Sequence, residues 1–179
     1  MKKVNKLALG GILSGISILL AIWIHFPIIP GAGFLLYDPA DIPILIGGFM
    51  LGPAIGAAMA FIVSVIMAAV TGQGGPIGAV MHFLSTGTLV IVASFIYTNN
   101  KTRIGAVQGL IAGSIGMVII MVISNLLLTP IYMGVSREIV VGMLLPAIIP
   151  FNLLKAGINS VFTFLIYKKV SGFLKNIAE

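Results

Sequence analysis

The chain has 179 residues, of which 59% are apolar and 8% charged, with 22 glycines and no cysteine. A soluble domain carries about 25% charged residues, so this chain cannot dress a water-facing surface and reads as an integral membrane protein. The missing cysteine excludes disulfides, thiolate metal sites, iron–sulfur clusters and cysteine nucleophiles, while the net charge of +6 takes its meaning from where it falls along the chain, with no nucleic-acid partner expected.

Lys2, Lys3 and Lys6 precede an apolar run over residues 7–24. It is long enough for a first transmembrane helix and too long for the core of a usual signal peptide. Pro27, Pro30, Gly31 and Gly33 break the pattern, and residues 35–39 read as an extended connection because proline fixes φ and restricts its predecessor. Asp41 is placed to cap a short second helix running to Leu51, and Gly52-Pro53 ends it and starts a third helix to Thr71. The turn cluster Gly72-Gln73-Gly74-Gly75-Pro76 leads into a fourth helix over residues 77–98, and a polar break at 99–103 leads into a fifth over 104–131. Gly134 to Glu138 form the core of the next loop, and a sixth helix covers 145–169. The expectation is one all-α transmembrane domain over residues 1–179 with six spanning helices, the second of them short.

Lysine and arginine resist crossing to the outer side, so their distribution sets orientation. With the amino terminus inside, Lys2, Lys3, Lys6, Lys101, Arg103, Lys168, Lys169 and Lys175 fall on the cytoplasmic side and only Arg137 outside. Both termini are therefore expected in the cytoplasm, and the first loop, the Gly72–Pro76 turn and the Gly134–Glu138 loop share the outer face. The Asn100-Lys101-Thr102 glycosylation sequon is discounted because it falls on the cytoplasmic side.

Gly105, Gly109 and Gly113 recur every four residues on the fifth helix, and Gly11 with Gly15 does so on the first. Such spacing lets backbones approach closely in lipid, most often for packing within the molecule. No nucleotide-binding loop, dinucleotide fingerprint, zinc-protease motif or nucleophile elbow occurs, so the chain is not expected to be an enzyme or to hydrolyse nucleotide itself. His25 and His82, with Asp38 and Asp41 as the nearby carboxylates, make a poor metal set, and no metal is expected.

Polar residues inside apolar helices carry the information, because an unpaired amide or charge in lipid is kept where it faces a cavity or a partner. Asn125 lies in the outer half of the fifth helix. Asn152 and Lys155 lie three apart on one face of the sixth, and Asn159 extends that face inward. Lys155 is the sharpest signal: such a charge at mid-helix costs roughly 2.5–3.5 kcal/mol on insertion scales, and the third to sixth helices hold no acidic residue to neutralise it. The reading is a ligand cavity open to the outside, in which Lys155 donates hydrogen bonds and Asn125 and Asn152 donate and accept beside it. Phe34, Leu35, Leu36 and Tyr37 in the first loop are placed either to cover a flat ring or to sit in the interfacial aromatic belt. His82 is a further candidate for the cavity wall.

Four stretches resemble a known group: Asp38-x-x-Asp41-Ile42-Pro43, Gly48-Phe49-Met50-Leu51-Gly52-Pro53, Ser124-Asn125 and Pro150-Phe151-Asn152-Leu153-Leu154-Lys155. They are similar to the riboflavin-binding S components, the RibU family, of energy-coupling factor (ECF) transporters. The resemblance implies a six-helix subunit of the bacterial or archaeal cytoplasmic membrane that captures riboflavin from outside. That subunit works with a transmembrane coupling subunit and two cytoplasmic ATPases, and holds no cofactor beyond its cargo. It assigns riboflavin contact to Asn125, Asn152 and Lys155, with Leu36, Tyr37, Asp38, His82 and Asn159 as further candidates. The family's small residues on the first helix, usually alanines, correspond in spacing to Gly11 and Gly15 as coupling-subunit contacts. Many riboflavin members carry charges in the third helix where this chain has Ala60-Phe61-Ile62-Val63-Ser64-Val65-Ile66. An S component for another vitamin therefore remains an alternative, as does a stand-alone ion-coupled carrier, which requires an acidic site within the helices.

Overall fold

The structure is a computed structural model that describes residues 3–72 and 74–178, with side-chain surroundings as far as Val170. Lys2, Gln73 and the side chain of Lys175, which figure in the charge and turn readings, lie outside the described residues. The chain runs α1 (Lys3–Trp23), a two-residue antiparallel pair β1 (Phe26–Pro27) and β2 (Leu36–Tyr37), α2 (Asp41–Leu51), α3 (Pro53–Thr71), α4 (Gly75–Asn99), α5 (Arg103–Met133), α6 (Arg137–Met143), a π-helical turn (Leu144–Ile148) and α7 (Ile149–Ala178). Phe26 pairs with Tyr37 and Pro27 with Leu36.

Among the described residues, five helical stretches are long and apolar enough to cross a membrane, the last running unbroken over Arg137–Val170. The remaining expected helix, the short second one, is α2. At about 1.5 Å per residue, the 11-residue α2 covers only about half of a hydrocarbon layer roughly 30 Å thick. Its residues from Asp41 to Phe49 are all buried, so the short helix is apolar on every side because the spanning helices enclose it.

The outer surfaces of those helices carry Leu7, Ile12, Phe61, Phe95, Ile111, Ile119, Leu127 and Leu165 with half or more of each side chain exposed, as a lipid solvent requires. Lys3, Lys6, Lys101, Arg103, Lys168 and Lys169 gather toward one end of the bundle, and the β1–β2 connection, the α3–α4 turn and the α5–α6 turn toward the other, here called the outer end.

Glycine sets how closely α2 to α5 approach. A Cβ on Gly109 would stand 2.6 Å from the Ala93 carbonyl oxygen, and one on Gly113 2.6 Å from that of Leu89. Two of the three stripe glycines therefore seat α5 directly on the backbone of α4, where Cα–H groups can face carbonyls. Gly105 packs instead on Asn100 of its own preceding turn, where Thr102 caps α5 by accepting the Gly105 N–H at 3.0 Å. Gly11 and Gly15 differ: both face outward, with nothing within 4 Å of where a Cβ would be.

Two expectations about helix ends are corrected. Asp41 does not cap α2, because it is the first helical residue and its carboxylate is bonded elsewhere. The sixth predicted helix begins at Arg137 rather than 145, leaving a turn of only Gly134 to Ser136 in place of the predicted loop core. Pro146 and Pro150, which lack the N–H for an α-helical bond, lie inside this helix, and the π turn accommodates the first of them.

Candidate functional site

A cavity of about 370 Å³ occupies the outer end of the bundle, bordered by the ends of α1, α3, α4, α5 and α7 and by the segment after β1. Its wall is mostly apolar, with Leu36, Met67, Met81, Met121 and Phe151 among the contributors. The polar groups enter from separate elements: Asp38 from the connection after β2, Ser64 from α3, His82 from α4, Asn125 and Thr129 from α5, Asn152 and Lys155 from α7.

Lys155 is buried and its Nζ lies 2.7 Å from Asp38 Oδ2. This corrects the expectation of an ammonium without a counter-ion. The counter-ion comes from outside the spanning helices, on the loop that folds over them. Asp38 Oδ1 accepts the Ala40 N–H at 3.0 Å, and its backbone carbonyl accepts from Asn159 Nδ2 at 3.2 Å. Asn159 Nδ2 also donates to Asp41 Oδ2 at 2.9 Å, Asn159 Oδ1 accepts from the Tyr37 hydroxyl at 2.9 Å, and Thr86 donates to Asp41 Oδ1 at 2.6 Å. One continuous network thus fastens the loop to α2, α4 and α7.

That network sorts the predicted residues. Asn125, Asn152, Lys155, Leu36, Asp38 and His82 stand on the cavity wall. Tyr37 and Asn159 do not border it; they are buried together and hold the loop down. Gly11 and Gly15 are remote from it on the outward face of α1. Ser64 and Thr129 were missed. Thr129 was discoverable from its spacing of four from Asn125 on one helix face, whereas Ser64 joins the site through His82, a partner 18 positions away.

The two asparagines present different faces. Asn125 donates to the Met121 carbonyl at 2.8 Å and its Oδ1 accepts from Thr129 at 2.8 Å. Asn152 donates to the Ile148 carbonyl at 2.8 Å, yet among the described residues its Oδ1 has no partner. An orphaned buried acceptor costs about 1–3 kcal/mol, so this atom is where a ligand N–H or O–H is most wanted. Each amide keeps a second N–H, and the ammonium keeps donors beyond its bond to Asp38.

Asp38, Asp41 and His82 also bring potential metal-ligand atoms within 4.8 Å of one another. Their four carboxylate oxygens already accept from Ala40, Lys155, Thr86 and Asn159, and the Lys155 ammonium already pairs with Asp38. The arrangement suits an uncharged molecule with an apolar body and a few polar groups.

Apolar spanning helices enclosing one such cavity at the outer end define a membrane-embedded substrate-binding protein. Residues 5–167 match the family model described as ECF transporter, substrate-specific component. The chain is 30% identical over 184 residues to the riboflavin transporter RibU of Staphylococcus aureus, covering 99% of this chain and 96% of that one. It is 32% identical over 183 residues to the riboflavin transporter RibU of Streptococcus thermophilus, covering 97% and 86% respectively. A solved structure described as the S component of a bacterial ECF transporter superposes with a TM-score of 0.82 at 30% identity, covering 97% of this chain and 99% of that chain. The chain belongs to the substrate-specific S components of ECF transporters, multi-pass proteins of the bacterial cytoplasmic membrane.

Proposed function

We propose that this subunit captures riboflavin from the extracellular side and delivers it inward with an ATP-driven partner module. The observation that carries the reading is the unpartnered Asn152 Oδ1 beside Lys155 in an otherwise apolar wall. Riboflavin presents a flat, largely apolar ring with imide and hydroxyl groups, and a cavity of about 370 Å³ falls within the roughly 300–1,000 Å³ usual for small-molecule sites. The full-length likeness to proteins named riboflavin transporters supports the choice of vitamin. Asn125, Asn152 and Lys155 are its principal contacts, with Leu36, Asp38 and His82 beside them.

The chain works as one substrate-binding domain. It carries no nucleotide-binding motif, so hydrolysis belongs to two cytoplasmic ATPases joined through a transmembrane coupling subunit. Gly11 and Gly15 on the outward face of α1 form the small-residue surface against which that subunit packs. Riboflavin is cargo; the chain needs no cofactor, metal or nucleic acid of its own.

Purification in mild detergent tests the reading: the protein is expected to be yellow, and added riboflavin to lose its fluorescence on binding. Colourless protein that leaves flavin fluorescence unchanged but retains a different vitamin would assign the cavity to that vitamin. Uptake in cells lacking the partner ATPases would favour a stand-alone carrier.

A further inference from the structure

We infer that His82 is a specificity-determining acceptor, held by Ser64 with its proton on Nδ1 so that Nε2 receives a hydrogen bond from an N–H or O–H of the bound vitamin. This rests on the riboflavin reading and deepens it.

Proton counting gives the tautomer. Ser64 Oγ lies 2.7 Å from the Ala60 carbonyl oxygen and 2.8 Å from His82 Nδ1. A carbonyl only accepts, and a hydroxyl has one proton to give. Both contacts are hydrogen bonds when Ser64 donates to Ala60 and Nδ1–H donates to Ser64. The neutral ring then keeps its lone pair on Nε2.

The surroundings leave that lone pair available. Facing His82 are Asp38 from the loop, Asp41 from α2 and Lys155 from α7, with Tyr37 behind them; His25 of α1 and Tyr132 of α5 stand elsewhere on the cavity wall. Each of the four carboxylate oxygens already accepts one hydrogen bond, and the Asp38 charge is matched by Lys155. The ammonium of Lys155 opposes a second positive charge nearby. His82 thus adds an acceptor to the cavity wall, so the site selects a ligand that offers a donor there. Ser64 is a positioning residue that acts through the imidazole.

Riboflavin is titrated into the full-length protein in detergent between about pH 5 and pH 8, where an ordinary imidazole changes charge. Wild-type affinity is expected to fall toward low pH as Nε2 is protonated, giving the ring its second N–H, and ceases to accept. His82→Gln, whose amide oxygen reaches near the Nε2 place, is expected to bind within about threefold of wild type with a flatter pH profile, and His82→Asn to lose about tenfold. Ser64→Ala keeps the ring but frees its tautomer, so its affinity should drop a few-fold and its pH profile shift. Where the His82 variants fail to fold, Ser64→Ala decides.

Wild-type protein that binds riboflavin while His82→Asn binds equally well overturns the inference alone. So do equal losses in both His82 variants, or a Ser64→Ala profile superimposable on wild type. Wild-type protein that binds no riboflavin at any pH overturns the vitamin reading and this inference with it.

Discussion

The Lys155 ammonium and the Asp38 carboxylate, 117 positions apart in the chain, meet at 2.7 Å in the interior of the bundle. The pair joins the loop before α2 to the second turn of α7 at the cavity wall, so one contact neutralises a membrane-buried charge and fixes the outer cover of the site. Its energetic meaning is asymmetric. Removing one partner of a buried pair costs about 3–5 kcal/mol because the other is left without compensation, whereas replacing both can be nearly neutral.

Lys155→Met and Asp38→Asn are therefore each expected to lower thermal stability in detergent substantially, and the double variant to recover much of the loss. Riboflavin affinity behaves differently. It should fall sharply in both variants that lack Lys155 and stay low in the double variant, because the ammonium also donates into the cavity. A thermal-shift double-mutant cycle with flavin titrations checks both. Strictly additive stabilities would mean that the pair is not coupled.

Much of this arrangement was legible in the sequence. Asn125, Asn152 and Lys155 stood out because lipid penalises each of them, and the structure brings all three to one cavity. The third helix matched residue for residue, since Pro53 and Gly72 mark its ends without ambiguity. What could not be read is the long-range pairing. Asp38 sits in a loop that local pattern treats as solvent-facing, so nothing in its neighbourhood names Lys155 as its partner. Tyr37 and Asn159 looked like ligand contacts because they share a segment and a helix face with residues that do border the cavity; only the tertiary fold turns them toward each other. The prolines at 146 and 150 lie inside a helix that continues through a π turn, a device with no simple sequence signature.

Asn152 tests whether an orphaned acceptor is reserved for a ligand. Asn152→Leu has similar volume and removes an oxygen that has no partner among the described residues. Thermal stability without ligand should stay close to wild type, since relief of the buried unpaired acceptor offsets the lost donation to the Ile148 carbonyl, while riboflavin affinity falls about tenfold or more. A variant that melts much earlier yet binds as tightly as wild type would make this amide structural.

The glycines separate by what their missing side chains leave open. Gly113→Ala forces a methyl against the Leu89 carbonyl, where 2.6 Å is available, so α4 and α5 must part and the protein should denature at clearly lower temperature. Gly11→Ala meets nothing within 4 Å and exchanges a poor helix former for the best, a gain of up to about 1 kcal/mol. Thermal aggregation followed by size-exclusion chromatography ranks the two. Equal behaviour would show that the α4–α5 approach is not limiting.

The outward face of α1 allows binding to be separated from assembly. Gly11 and Gly15 lie away from the cavity and leave a shallow strip against which another helix can pack closely. Leucine at either position fills that strip without touching Asn125, Asn152 or Lys155. Gly11→Leu and Gly15→Leu are expected to bind riboflavin within about twofold of wild type, because no contact to the site changes. They should co-purify poorly with the transmembrane coupling subunit and its ATPases, and vitamin uptake in cells should drop with the yield of complex. Loss of riboflavin binding would instead assign these glycines to folding. Normal complex formation would move the coupling surface to another face, with the exposed row of Leu153, Leu154, Val161 and Phe162 on α7 the next to be substituted.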